Sequence, residues 1–215
     1  MATRQLLADL LAPRGAAVAV ESVGGVDAAR RVRAGEAFDA VVLSVQALDA
    51  LAASGHVVAG SRVDLVHSGV ALAVRAGAPR PDIGSEDAVR RAVLAAPRLS
   101  YSTGPSGVAL MQLFERWGIA AQIADRIVQA PPGVPVGTLV ARGDADLGFQ
   151  QLSELMHLDG IDVLGPLPPA IQVVTTFAGA IATTSQRRAE VAALLADLAA
   201  DDCAGIKRRH GMEPA

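Results

Sequence analysis

Residues 100 to 119 read SYSTGPSGVALMQLFERWGI. Ser100, Ser102, Thr103, Gly104, Ser106 and Gly107 stand immediately before a run with the apolar spacing of an amphipathic helix. Small hydroxyl residues and glycines leave backbone N–H groups open, and a helix N-terminus carries partial positive charge. Together they make a cradle for a small anion. The same residues also make a plain N-cap, and most Ser/Thr-Gly runs before helices are no more than that. What the rest of the chain brings to the same place decides between the two.

Composition narrows the chemistry. The 215 residues are 51% hydrophobic and 19% charged, which describes a folded globular chain with a substantial core. Lys plus Arg number 19 against 22 Asp plus Glu, a net charge of -3. No basic stripe is present, so nucleic acid is not an expected partner. The densest basic runs, Arg30 to Arg33 and Lys207 to His210, fall on or near helices as solvated faces. Aromatic residues are only 3%, which argues against a site that stacks sugars or bases. The one cysteine, Cys203, excludes an internal disulfide, and His56, His67, His157 and His210 lack ligand spacing. Neither a metal nor a cofactor is expected.

The first residues, MATRQLLADLLAPRGA, space Leu6, Leu7, Leu10 and Leu11 as an amphipathic helix does. Pro13 interrupts the run, and it does not read as a signal peptide. As given, the chain is therefore expected in the cytoplasm; a start trimmed from an exported protein would place it in the periplasm.

The elements that must position the cradle alternate in kind. Helices are expected over 3–12, 27–34, 45–53, 86–94, 106–117, 136–142, 152–156 and 187–200, and strands over 16–21, 38–43, 63–75, 98–102, 126–129, 146–149, 162–164 and 171–182. Alternating βα units argue a mainly parallel sheet covered by helices. Two Pro/Gly-rich breaks, at residues 77–82 and 165–169, bracket the middle of the chain beside the two longest apolar segments. Two strands crossing between lobes would give this pattern, with residues 1–75 and 175–215 in lobe 1 and 76–174 in lobe 2.

Ligands of open α/β sheets bind at the carboxyl ends of strands, so two lobes put the pocket in the cleft between them. The candidates are Ser22, Gly24, Gly25 and Ser44 from lobe 1, then Ser102, Thr103, Ser106, Gly107, Gln150, Gln151 and Ser153 from lobe 2. Uncharged donors of this kind suit a small oxyanion or a carboxylate.

The runs GEAFDAVVLS, LDALAASGHVVAGSRVDLVHSGVALAVRAGAPRPDI, LSYSTGPSGVALMQLFERWGI and ARGDADLGFQQLSELMHLDGIDVLGPLPPAIQ resemble the class II periplasmic substrate-binding proteins. The likeness extends over about residues 5–214 and is nearest to the molybdate-binding-protein-like solute receptors of ABC transporters. It implies a two-lobed α/β fold with mainly parallel sheets, flanking helices and a two-strand hinge. It also implies a small anionic ligand and a transporter permease as partner. On the matching positions, Ser102 and Thr103 would donate hydroxyls, and Ser106, Gly107 and Val108 would offer backbone N–H groups. Ser22 and Gly24 would face them from lobe 1.

Three departures modify this. Such receptors begin with a strand and a Ser-Ala-Gly-type loop, whereas this chain starts in the helix that follows. A central strand of lobe 1 is thus expected to be missing, and an open edge there would invite pairing with a second copy as a homodimer. Molybdate binders carry a Tyr soon after the equivalent of DLGF, where Gln150 and Gln151 stand here. An export signal is not expected in the first residues. A di- or tricarboxylate fits the amide-rich site at least as well as molybdate.

The family also includes enzymes, among them one that isomerises aconitate. The expected function is thus a small-anion-binding protein, with an isomerase of a small unsaturated carboxylic acid as the alternative and a lobe without ligand as a third. An isomerase needs a proton carrier, for which Glu21, Glu154, His67, Tyr101 and the serines are the available groups. Glu21 and Tyr101 alternate in their strands, away from the cleft, and Glu154 reads as part of a solvated helix face. GPSGV lacks the Gly-x-Ser-x-Gly pattern of a nucleophile elbow. No residue is assigned a catalytic role.

Overall fold

The computed structural model describes residues 2–12, 18–131 and 133–215. In chain order the elements are α1 (Arg4–Leu11), α2 (Gly25–Arg33), β1 (Ala40–Ser44), α3 (Val45–Ala53), β2 (Val63–Arg75), α4 (Glu86–Ala95), β3 (Leu99–Tyr101) and α5 (Pro105–Arg116). There follow α6 (Ala120–Ile123), α7 (Val136–Arg142), β4 (Leu147–Gln151), α8 (Leu152–Leu155), β5 (Ile161–Pro166), β6 (Val174–Ile181), α9 (Arg188–Ala199), α10 (Ala204–Arg209) and β7 (Met212–Pro214). They gather into two units, Met1–Ser68 with Thr175–Ala215, and Gly69–Val174, so the chain changes unit within β2 and again within β6.

In the first unit β1 pairs antiparallel with β6, from Ala40 opposite Ile181 to Ser44 opposite Phe177. β6 neighbours β2, whose Val66–Ser68 stretch pairs with β7. The period of two along β1 sorts its side chains. Val41 and Leu43 join Ala29, Val32, Leu48 and Leu51 of α2 and α3. Val42 packs with the cluster of Leu6, Leu10, Leu65, Val66, Leu198 and Met212 on the other face. The leucines of α1, four residues apart, are its buried stripe, and His210 Nε2 meets Asp9 Oδ2 at 2.9 Å on the same helix.

Lys207 of α10 has no solvent exposure at all, and its Nζ donates to the Ala199 carbonyl at 3.2 Å. Burial pushes its ammonium below the usual lysine range. Cys203 is buried one turn earlier, its thiol donating to the Asp197 carbonyl at 3.3 Å.

In the second unit the Gly69–Arg75 part of β2 pairs antiparallel with β4 on one side and β5 on the other. β4 then pairs in parallel with β3, Leu99 opposite Leu147 and Tyr101 opposite Phe149. Val70, Leu72 and Val74 point into a core with Leu99, Leu110, Phe114 and Phe149, while Ala71 and Ala73 pack with Leu155 on the other face. Phe114 is its hub, with the rings of Tyr101, Trp117 and Phe149 at 6.4, 5.9 and 5.9 Å. Complete burial of one such ring stabilises the unit by about 1.5–3 kcal/mol. Ser85 caps α4, its Oγ accepting from the Ala88 N–H at 3.2 Å. Gly148 is set by close approach: a Cβ there would lie 2.6 Å from Val140 Cγ2 of α7.

Three expectations need correction. The sheets are mixed, with β3–β4 parallel and the pairings β1–β6, β2–β4, β2–β5 and β2–β7 antiparallel. The long crossing segments run against their neighbours, which βα alternation does not reveal. The strand expected over 16–21 is not formed at residues 18–21; these lie in no element, with Val18 and Val20 at 38% and 48% exposure. Residues 16 and 17 lie outside the described residues. The strand expected over 126–129 reduces to a single bridge between Ile127 and Leu99 after a 3-10 turn at Ala124–Arg126.

Candidate functional site

The carboxyl ends of β3 and β4 lie side by side in the second unit, and each strand feeds a helix. β3 passes through Ser102, Thr103 and Gly104 into α5, with Pro105 at its first position; β4 passes directly into α8. The turn after β3 is tight because residue 107 has no side chain. A Cβ on Gly107 would fall 1.8 Å from the Ser102 carbonyl oxygen. This close approach brings Ser102 Oγ to 3.2 Å from Ser106 Oγ. Ser106 is buried, Ser102 half-buried and Thr103 exposed.

Two hydroxyls that share one hydrogen bond keep one O–H free to donate elsewhere. The backbone divides differently from expectation. The N–H groups of Gly107 and Val108 both donate to the Gly104 carbonyl, at 2.9 and 3.3 Å, inside the first turn. The Gly107 and Val108 N–H groups are thus engaged within the helix, and the turn's close approach depends on residue 107 having no side chain.

At the end of β4, Gln150 and Gln151 are both buried and alternate in direction along the strand. The Gln150 amide is fixed at both ends: its Oε1 accepts from the Gly137 N–H at 3.2 Å, and its Nε2 donates to Glu154 Oε2. Glu154 is half-buried on α8. Burial raises its carboxyl above the usual carboxylate range, and the charge of the chain's amino terminus and the Gln150 hydrogen bond only partly oppose this. The hydroxyl of Ser153 beside it is buried without a hydrogen-bond partner among the described residues, as is that of Ser100.

Ser22 and Gly24 lie in the first unit, with Ser22 exposed and Gly24 at the cap of α2, followed by Gly25 as its first residue. Ser44 is buried at the cap of α3, with no side-chain capping bond.

The other residues considered as proton carriers make contacts of their own. Glu21 pairs with Arg31 at 2.6 Å, and His67 Nδ1 meets Thr176 Oγ1 at 2.9 Å. Tyr101 is buried against Phe114, and burial pushes its hydroxyl above the usual tyrosine range. Among the described residues no three His, Cys, Asp or Glu side chains are grouped as a metal site would need. Glu154 was the group expected on a solvated face. Its placement was signalled only by the i, i+4 spacing from Gln150 across the strand–helix junction, a relation that helical periodicity does not weigh.

Comparison with known proteins matches residues 2–213 to the family model described as bacterial extracellular solute-binding protein. An aconitate isomerase from a Pseudomonas species is 42% identical over 185 residues, covering 86% of this chain and 70% of that enzyme. Among solved structures, the periplasmic molybdate-binding protein of Azotobacter vinelandii superposes with a TM-score of 0.77 at 19% identity, over 98% of this chain and 93% of its own. The substrate-binding domain of a putative molybdenum ABC transporter from Clostridium difficile gives 0.75 at 15% identity, over 100% and 95%. The fold is thus the two-lobed α/β fold of the class II periplasmic binding proteins.

Proposed function

Because this chain belongs to the bacterial extracellular solute-binding protein family, we propose that it binds a small polycarboxylate and isomerises it as an unsaturated acid, aconitate being the first substrate to try. The observation that carries this reading is the 42% identity with an aconitate isomerase, against 19% with the superposed molybdate-binding protein of Azotobacter vinelandii. The second unit supports it chemically. Hydroxyls at Ser102 and Ser106 and the amide of Gln151 are neutral donors suited to carboxylates, and Glu154 stands ready as a half-buried carboxyl.

A second reading is a receptor that hands a small oxyanion to an ABC-transporter permease, favoured by the superposition on molybdate-binding proteins. The two separate in one experiment. The protein is incubated with cis- and with trans-aconitate, and the proton NMR spectrum is followed for the other isomer. Conversion supports the isomerase. Binding of molybdate without any conversion of aconitate supports the receptor.

A further inference from the structure

We infer that Glu154 is the proton carrier of this site, its Oε1 taking a proton from the methylene carbon of the bound acid and returning it to the carbon at the far end of the allylic system. This rests on the isomerase reading above and names the group that would do its chemistry.

The geometry constrains the carboxyl in four ways. Gln150 cannot turn its amide, because Gly137 N–H holds the oxygen end, so Nε2 always faces Glu154 Oε2. That leaves Oε1, which accepts no hydrogen bond among the described residues. Glu154 sits on the first turn after β4, three residues beyond the end of the strand whose partner β3 leads into the Ser102–Ser106 pair. No arginine, lysine or histidine side chain among the described residues is paired with it. A carboxyl so placed, with burial raising it from the ordinary range, is suited to accept and then return one proton.

The step balances without a co-reactant. The C–H bond of the CH2 group breaks, and its electron pair forms the new C=C bond to the central carbon. The old C=C pair moves to the former vinyl carbon, its charge spread onto the attached carboxylate. The proton on Glu154 then forms the new C–H bond there. The double bond has moved by one carbon, and the enzyme is unchanged.

The test compares the full chain with Glu154→Gln and Glu154→Asp, using aconitate as probe. Isomerisation is read by NMR, deuterium uptake into the acid in heavy water by the same spectra, and binding by calorimetry. Glu154→Gln is expected to bind aconitate as the parent does and to lose about 10²- to 10⁴-fold in turnover and deuterium uptake together. Glu154→Asp keeps a measurable part of both. Turnover intact in Glu154→Gln overturns the assignment alone. Loss of binding in both variants overturns it too, by making the residue structural. A parent chain that binds aconitate and converts none overturns the isomerase reading, and this assignment with it.

Discussion

Ser102 Oγ lies 3.2 Å from Ser106 Oγ, across the turn from β3 into α5. Each hydroxyl fixes the other's direction. The pair stands beyond the carboxyl end of β3, at the start of α5.

Removal of both hydroxyls, Ser102→Ala with Ser106→Ala, should weaken aconitate binding. A hydrogen bond to a charged group contributes roughly 1.5–3 kcal/mol, so each one lost lowers affinity about ten- to a hundredfold. Calorimetry reads this directly, and an unchanged dissociation constant would remove the pair from the site.

Ligand class can be read from thermal stability. An anion present at about 100 times its dissociation constant adds roughly 2.7 kcal/mol to the folded state. Aconitate and other tricarboxylates should raise the melting temperature, and molybdate, tungstate and sulfate should leave it in place. The reverse pattern would favour the receptor reading.

Gly107→Ala should destabilise the second unit. The added methyl meets the Ser102 carbonyl, a backbone atom that cannot turn away. Overpacking of this kind costs about 1–3 kcal/mol, measurable as a lower urea midpoint. Wild-type stability in this variant would mean that the β3–α5 turn is looser than described.

Glu154 gives stability a dependence on pH. Its folded carboxyl titrates higher than the unfolded one, so its contribution is complete below the ordinary glutamate range and is lost as pH rises through the raised folded value. Glu154→Gln cannot ionise and lacks that loss. The variant should therefore gain on the parent in melting temperature as pH is raised from about 4 towards neutrality. A difference that stays constant with pH would place the carboxyl in water.

The Ser85 cap is tested by Ser85→Ala, which should cost about 1 kcal/mol through the lost bond to the Ala88 N–H. A variant as stable as the parent in urea would show that water replaces the cap without loss.

Local pattern made much of the fold legible. The spans of α3, β2 and α7 agree with their expected limits, and Ser85 caps α4 as its position suggests. These elements are marked by Gly, Pro or a polar cap at their ends, so short-range chemistry defines them. Residues 18–21 show the limit. Val18 and Val20 alternate with small residues as a strand does, yet a strand exists only through its hydrogen-bonded neighbours, which period alone does not specify. The direction of pairing is hidden for the same reason.

The Ser102–Ser106 turn is legible because cap chemistry is local. The Gly137–Gln150–Glu154 chain was not, because it links three elements through one amide. The internal bonds of the Gly107 and Val108 N–H groups also depend on the exact first turn of α5, which sequence pattern leaves open.

Lys207, sealed beneath α10, has a practical consequence, since no other lysine occurs in the chain. A reagent that acylates primary amines finds no lysine side chain while α10 is seated. The rate at which residue 207 becomes modified therefore reports how often this helix lifts from the first unit. Comparing that rate with and without aconitate would show whether a ligand held by residues of the second unit is felt in the packing of the first.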